Sequence, residues 1–218
     1  MITALGYCHL SRVRYTPHEK IFRESIKHYM PKSVEIFTQY SLGNFGDSYN
    51  KLVDTMIQGG HRCFAIANDD IVLRPDSIQL LNEDIHTCQQ HGRNWGVIAS
   101  RADYVRQSPQ NIRFQYGQPQ PDTIQYQQEL QIIEVGSVAP LLAAYHTDSW
   151  VDFPPINFYS DDVQCYDIKA KGYEIFISRS YVHHVGSQTL GQANYEDDEK
   201  KSRQWLLTNR KDFTKLDT

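Results

Sequence analysis

The stretch Cys63–Ala67 reads CFAIA, five consecutive apolar positions that run straight into Asn68-Asp69-Asp70. Side chains of a strand point alternately to its two faces, so a strand apolar at every position must be covered on both. That excludes a sheet with one solvated face and calls for an open sheet between two layers of helices. The neighbouring segments fit this. Residues 2–8 form a short apolar run. Thr16-Pro17 reads as an N-cap with proline in the first turn, followed by Ile21, Phe22, Ile26 and Tyr29 at helical spacing and a stop at Pro31. Residues 34–40 alternate as a strand, residues 41–48 read as a glycine-bearing loop, and residues 49–57 as a helix closed by Gly59-Gly60. Pro75 opens a helix carrying Ile78, Leu81 and Ile85, and residues 95–99 form the next strand.

Strand and helix therefore alternate, which predicts an α/β fold with a mostly parallel central sheet flanked by helices. At 218 residues, with no clean boundary and no repeat, one domain is expected. Residues 103–129 change character, with Gln, Pro and Tyr dominant; irregular structure or a hairpin is expected, either covering a sugar or solvated. Further on, the pattern predicts a strand within 131–138, a helix over 161–171 ending at Gly172, a strand over 173–178, and an amphipathic helix over 195–216. The acids Glu196-Asp197-Asp198-Glu199 fall in the first turn of that last helix, where they suit the helix dipole as a solvated cap.

Composition narrows the partners. The net charge of −4 gives no electrostatic case for nucleic acid. No apolar run approaches the ~20 residues that span a bilayer, and the N-terminus lacks a basic segment followed by a long apolar one, so no secretory signal and a cytoplasmic location are expected. Cys8, Cys63, Cys88 and Cys165 have no C-x-x-C spacing and read as free thiols of a reducing compartment.

In open α/β sheets ligands bind outside the carboxyl ends of the strands, which is where Asp69 and Asp70 stand. Two adjacent carboxylates repel unless a positive group joins them. A divalent cation with oxygen ligands does so; a cap for the helix after Pro75 or an ion pair with Arg74 are the plainer roles.

The order of motifs resembles the GT-A-type glycosyltransferases, in particular the family-2-like inverting enzymes. The family's N-x-G loop and later Asn are matched by Asn44-Phe45-Gly46 and Asn50, its D-x-D-type metal motif by Asn68-Asp69-Asp70, and its acidic pair before a helix ending in glycine by Ser160-Asp161-Asp162 and Gly172. Its histidine before a Gly/Ser turn is matched by His183-His184-Val185-Gly186-Ser187, and its sugar-pocket glycine by Gly136. The resemblance covers roughly residues 2–189. It implies a GT-A (Rossmann-like) domain with a nucleotide-sugar half over 1–100, an acceptor half over 101–190 and a helical segment over 191–218.

By that resemblance the chain is an inverting transferase that moves a sugar from a nucleotide-sugar, a UDP-sugar first, to a carbohydrate or other hydroxyl acceptor. Asp70 would hold Mn²⁺ or Mg²⁺ with His183 or His184 as a further ligand, strand alternation letting only one of the two point inward. Asp69 and Asn68 would contact sugar or ribose, and Tyr7, His9 and Arg12 would meet base and phosphate. Asp161 is the base if the helices align without a gap, Asp162 with a gap of one residue. By analogy with the family, such a chain works with other glycan-building modules. Two departures stand out: Ser160 replaces the usual Glu, and the acidic residue after the second strand is not evident. A nucleotidyltransferase would carry a glycine-rich loop after the first strand, which GYCHLSRVRY lacks. A carbohydrate-binding module on a degenerate transferase fold is the other alternative.

Overall fold

The structure is a computed structural model that describes residues 1–9, 16–103, 105, 109–112, 131–185 and 195–213. Its elements in chain order are β1 (Ala4–His9), α1 (Pro17–Tyr29), β2 (Glu35–Tyr40), α2 (Phe45–Gln58), β3 (Cys63–Ala67), β4 (Ile71–Leu73), α3 (Ser77–Gln90), β5 (Trp95–Ala102), β6 (Ile133–Glu134), β7 (Leu142–His146), α4 (Ser160–Ala170), β8 (Glu174–His184) and α5 (Tyr195–Asn209), with a 3-10 turn at Thr147–Ser149. The strands form one sheet in the order β2-β1-β3-β7-β5-β8-β4, and β6 pairs with β8.

Strand β3 sits inside this sheet, parallel to β1 and antiparallel to β7. Its side chains divide as the apolar run requires. Phe64 and Ile66 join the layer under α2 and α4, with Leu52, Val53, Met56, Cys165 and Ile168. Ala65 and Ala67 join the layer under α1 and α3, with Phe22, Ile78, Leu81 and Ile85. A third, small cluster of Ile156, Val163, Leu206 and Phe213 seats α5 on α4.

The sheet is mixed. β7 runs against both β3 and β5, and β4 against β8, while β2, β1, β3, β5 and β8 share one direction. The sequence pattern contains neither reversal. β4 is three residues long, too short for a periodic signal. β7 (LAAYH) is mostly small residues, whose place is set by Phe64 and Tyr145 stacking across the β3–β7 pair rather than by their own bulk. The strand expected within 131–138 shrinks to Ile133–Glu134, and the one expected over 173–178 extends to His184.

The expected loop over 41–48 is half helix. The Asn44 side chain accepts from the Asp47 amide at 2.8 Å, which caps α2 four residues early. Helix α1 starts as predicted, with the Thr16 hydroxyl accepting from the Glu19 amide at 3.0 Å. Helix α5 ends at Asn209, short of the expected 216. The Gln/Pro/Tyr-rich segment lies outside the described residues except for 103, 105 and 109–112.

One buried carboxylate joins α3 to β8. Asp84 accepts from the Ser178 hydroxyl at 2.6 Å, the Arg179 amide at 2.7 Å and Arg179 Nε at 2.6 Å. Removing it strands three donors, one of them charged. Asp84→Ala is expected to lower stability by about 3 kcal/mol in urea denaturation; a loss under about 0.5 kcal/mol would contradict this pinning role.

Candidate active site at the carboxyl edge of the sheet

Five strands run the same way, so their carboxyl ends meet along one edge. That edge carries Tyr40 and His9 from β2 and β1, Asn68-Asp69-Asp70 after β3, Asp103 after β5, and His183-His184 from β8. Helix α2 follows β2 and begins at the same edge. Helix α4 packs on the sheet and turns at Gly172 into the amino end of β8, so its own start, with Asp161 and Asp162, also faces the carboxyl edge. The two starts touch: the Phe45 amide donates to Asn157 Oδ1 at 2.8 Å, and the Asn50 side chain bonds both the carbonyl and the amide of Phe153, each at 2.8 Å.

Asp70 is buried. One of its oxygens lies 3.3 Å from His184 Nε2; the other, Oδ1, is shielded from solvent and has no hydrogen-bond partner among the described residues. An orphaned carboxylate oxygen is a costly feature for a chain to keep. Burial, then the charges of Asp70 and Glu19, push the Asp69 carboxyl up to about 7. The Tyr49 hydroxyl donates to the Ala67 carbonyl at 2.8 Å and fixes the end of β3; burial, then Cys8, Asp69 and Asp70, push its pKa well up.

The two histidines part as strand alternation requires. His184 is buried against Asp70, while His183 is half exposed. Both are held by Asp103, a fully buried carboxylate whose Oδ2 lies 2.8 Å from His183 Nδ1 and whose Oδ1 accepts from the His184 amide at 2.8 Å. Asp103 escaped the sequence reading. Its signal was the same as that of Asp69-Asp70, a carboxylate directly after an apolar strand.

These residues suit a hard cation. Mg²⁺ and Mn²⁺ take one or two carboxylates and leave other positions to water and phosphate oxygens, and Asp70 offers an unpartnered oxygen with an imidazole beside it. Among the described residues there is no group of three or more His, Cys, Asp or Glu side chains placed to hold a metal, so any cation here would depend on oxygens from a bound ligand.

Other expected site residues have structural partners. Tyr7 lies in the core, its ring edge-on to Phe22 and its hydroxyl accepting from Arg23 Nη1 at 2.7 Å, so it does not present a face for a base to stack on. His9 is buried with Nδ1 2.5 Å from Glu19 Oε1; the exposed ring beside it is Tyr40, with centroids 5.1 Å apart. Arg12 and residues 186–190 lie outside the described residues. Asn44 caps α2, and Ser160 is buried with its hydroxyl on the Pro154 carbonyl at 2.9 Å. Asp162 is buried, whereas Asp161 is half-buried. Gly136 has an ordinary φ, and a Cβ there would meet nothing within 4 Å, so neither backbone nor packing among the described residues demands glycine at that position.

No protein-family model and no curated protein matches the chain in sequence. Solved structures match it in fold. S. aureus TarS 1-349 in complex with UDP-GlcNAc aligns with a TM-score of 0.54 at 12% identity, over 95% of this chain and 66% of that one. The chain shares the fold of TarS 1-349, an α/β domain with a mixed central sheet flanked by helices. The longer TarS structure gives 0.51, and this chain spans only 36% of its length. A197 from STIV gives 0.52 at 11% identity over 81% of each chain.

Gly46 tests how the two helix starts are joined. A Cβ on Gly46 would lie 1.9 Å from the Pro154 carbonyl oxygen, a backbone atom that cannot swing aside. Gly46→Ala is expected to destabilise the protein by about 2 kcal/mol in urea denaturation, and an unchanged midpoint would contradict the close approach of α2 and the loop before α4.

Proposed function

We propose that this chain is a metal-dependent, inverting glycosyltransferase that uses a nucleoside-diphosphate sugar, a UDP-sugar first. The observation that carries the reading is the buried Asp70 oxygen, without a hydrogen-bond partner among the described residues, beside Asp69 at the carboxyl edge of a TarS-like sheet. TarS was solved with UDP-GlcNAc and with UDP, which makes a uridine donor the first to try.

In this reading Asp70 and His184 hold Mn²⁺ or Mg²⁺, with His183 as the alternative ligand. When bound, such a cation neutralises charge on a diphosphate leaving group. Asn68 and Asp69 face the sugar or ribose. Tyr40, rather than Tyr7, offers a ring to the base, next to the His9–Glu19 pair. Gly136 follows β6, whose Glu134 pairs with Phe176 near the amino end of β8, away from the carboxyl edge, so it has no part in this reading. Asn44 acts indirectly by capping α2, and Gly46 and Asn50 by seating α2 on the loop before α4; Arg12 remains a phosphate contact by resemblance.

In this reading Asp161 is the base, with Asp162 the alternative; the difference in burial favours Asp161, since Asp162 is buried and Asp161 only half-buried. An acceptor hydroxyl gives its proton to the Asp161 carboxylate as its oxygen bonds the anomeric carbon. The bond from that carbon to the diphosphate oxygen breaks, and the nucleoside diphosphate leaves with the electron pair. Attack from the opposite face inverts the configuration, with no covalent enzyme intermediate.

A panel of nucleotide-sugars with Mn²⁺, read by nucleoside diphosphate release with and without simple sugar acceptors, tests this. Turnover of at least one donor is expected, falling about 10²- to 10⁴-fold in Asp161→Asn. Nucleotide binding with no turnover of any donor would overturn the enzymatic reading in favour of a carbohydrate-binding module.

A further inference from the structure

Tyr159 is the one residue other than glycine with a positive φ among the described residues, at φ 65° and ψ 4°. Side chains with a Cβ resist this left-handed conformation, so the surroundings must hold it. Tyr159 immediately precedes Ser160-Asp161-Asp162, and the Val163 amide donates to its carbonyl at 3.0 Å, closing the first turn of α4. The direction in which α4 starts, and with it the placing of Asp161, depends on this one backbone angle.

Helix α5 holds it. The Tyr159 hydroxyl donates to Glu199 Oε1 at 2.7 Å. Arg203 donates to the same oxygen at 3.2 Å and lies with its guanidinium carbon 5.2 Å over the Tyr159 ring. The Phe158 amide donates to the Ser202 hydroxyl at 3.2 Å, and the Asn157 amide nitrogen donates to Asp198 Oδ2 at 3.1 Å. Asn157 turns its other side-chain atom to the start of α2. Three consecutive residues are thus bonded to the first two turns of α5, two of them through the acid run that composition alone assigns to solvent. Beneath them Ile156, Val163, Leu206 and Phe213 form a small buried apolar cluster with Tyr159 and Trp205 packed against it, and just past α5 Arg210 donates to Asp167 of α4 at 2.7 and 2.8 Å, so polar contacts carry much of the docking.

We infer that α5 is a clamp on the catalytic turn: Glu199 and Tyr159 are positioning residues that keep Asp161 aimed at the carboxyl edge, and undocking α5 releases the base. The inference rests on the assignment of Asp161 as the base, but its structural half is measured independently of turnover.

The test uses the full chain. In Glu199→Ala, hydrogen exchange over residues 160–166 should rise about tenfold, while exchange over β3 stays as in wild type. On any donor that turns over, kcat should fall about tenfold with KM for the donor unchanged. Glu199→Gln, which keeps an accepting oxygen, should behave nearly as wild type. Tyr159→Phe removes only the hydroxyl and supplies the measurement if Glu199→Ala does not fold. Glycine adopts the left-handed conformation freely, so in a Tyr159→Gly background Glu199→Ala should have no further effect on exchange or kcat.

Wild-type exchange over 160–166 in both Glu199→Ala and Tyr159→Phe, or an undiminished penalty in the glycine background, would overturn the clamp. A wild-type protein that turns over no donor removes the function proposed above and leaves the exchange arms to decide the clamp.

Discussion

Two adjacent carboxylates at the end of a fully buried strand are held there against their own repulsion. Like charges about 4 Å apart near a protein surface repel by several kcal/mol, and burial adds to that. Asp69 shows the strain as a carboxyl pushed up to about 7. Asp70 is answered only in part: His184 faces one oxygen and nothing described faces the other. A sheet built for stability alone would place a polar uncharged residue here. The site keeps a buried carboxylate oxygen with no partner among the described residues, the feature on which the proposed cation and diphosphate rest.

The rest of the architecture brings other groups to that charge. Reversing β7 between β3 and β5 lets the neighbouring strands run parallel without a crossover helix between every pair, so the carboxyl ends of β1, β3, β5 and β8 meet at one edge. Asp103 then serves two histidines at once, orienting one ring and the backbone of the other. The return from β7 to α4 passes through Phe153, Pro154 and Asn157, which lock onto α2. Helix α2 and the loop before α4 are therefore joined by side-chain-to-backbone hydrogen bonds and the close approach at Gly46, and α5 braces that loop from outside.

Much of this was legible in the residues, and the gaps have physical causes. The CFAIA run gave a doubly covered strand because period-2 alternation leaves it no polar face. Thr16-Pro17 and Gly172 marked helix ends through local chemistry that needs no tertiary context. Asn44 was misread because Gly43 and Gly46 look like loop residues, whereas Gly46 is required by the Pro154 carbonyl more than a hundred positions away in sequence. The strand β7 was invisible because LAAYH has the small side chains of either a helix or a strand, and only its neighbours decide. Tyr7 illustrates the limit of residue type as a guide: an aromatic near the carboxyl edge served the core, and Tyr40 took the exposed position. The acids at the start of α5 suited the helix dipole equally well in solvent or docked, so their partners Asn157 and Tyr159 lay beyond any local pattern.

The account stands on Asp70 as the anchor of a cation that binds together with a nucleoside diphosphate. Calorimetric titration of UDP into the full chain with Mn²⁺, repeated with Asp70→Asn and with chelator, measures this directly. One UDP per chain is expected to bind, in a cation-dependent manner, with affinity at least about 100-fold weaker in Asp70→Asn or after chelation. UDP binding of equal strength in wild type, Asp70→Asn and chelated protein would contradict the role given to Asp70.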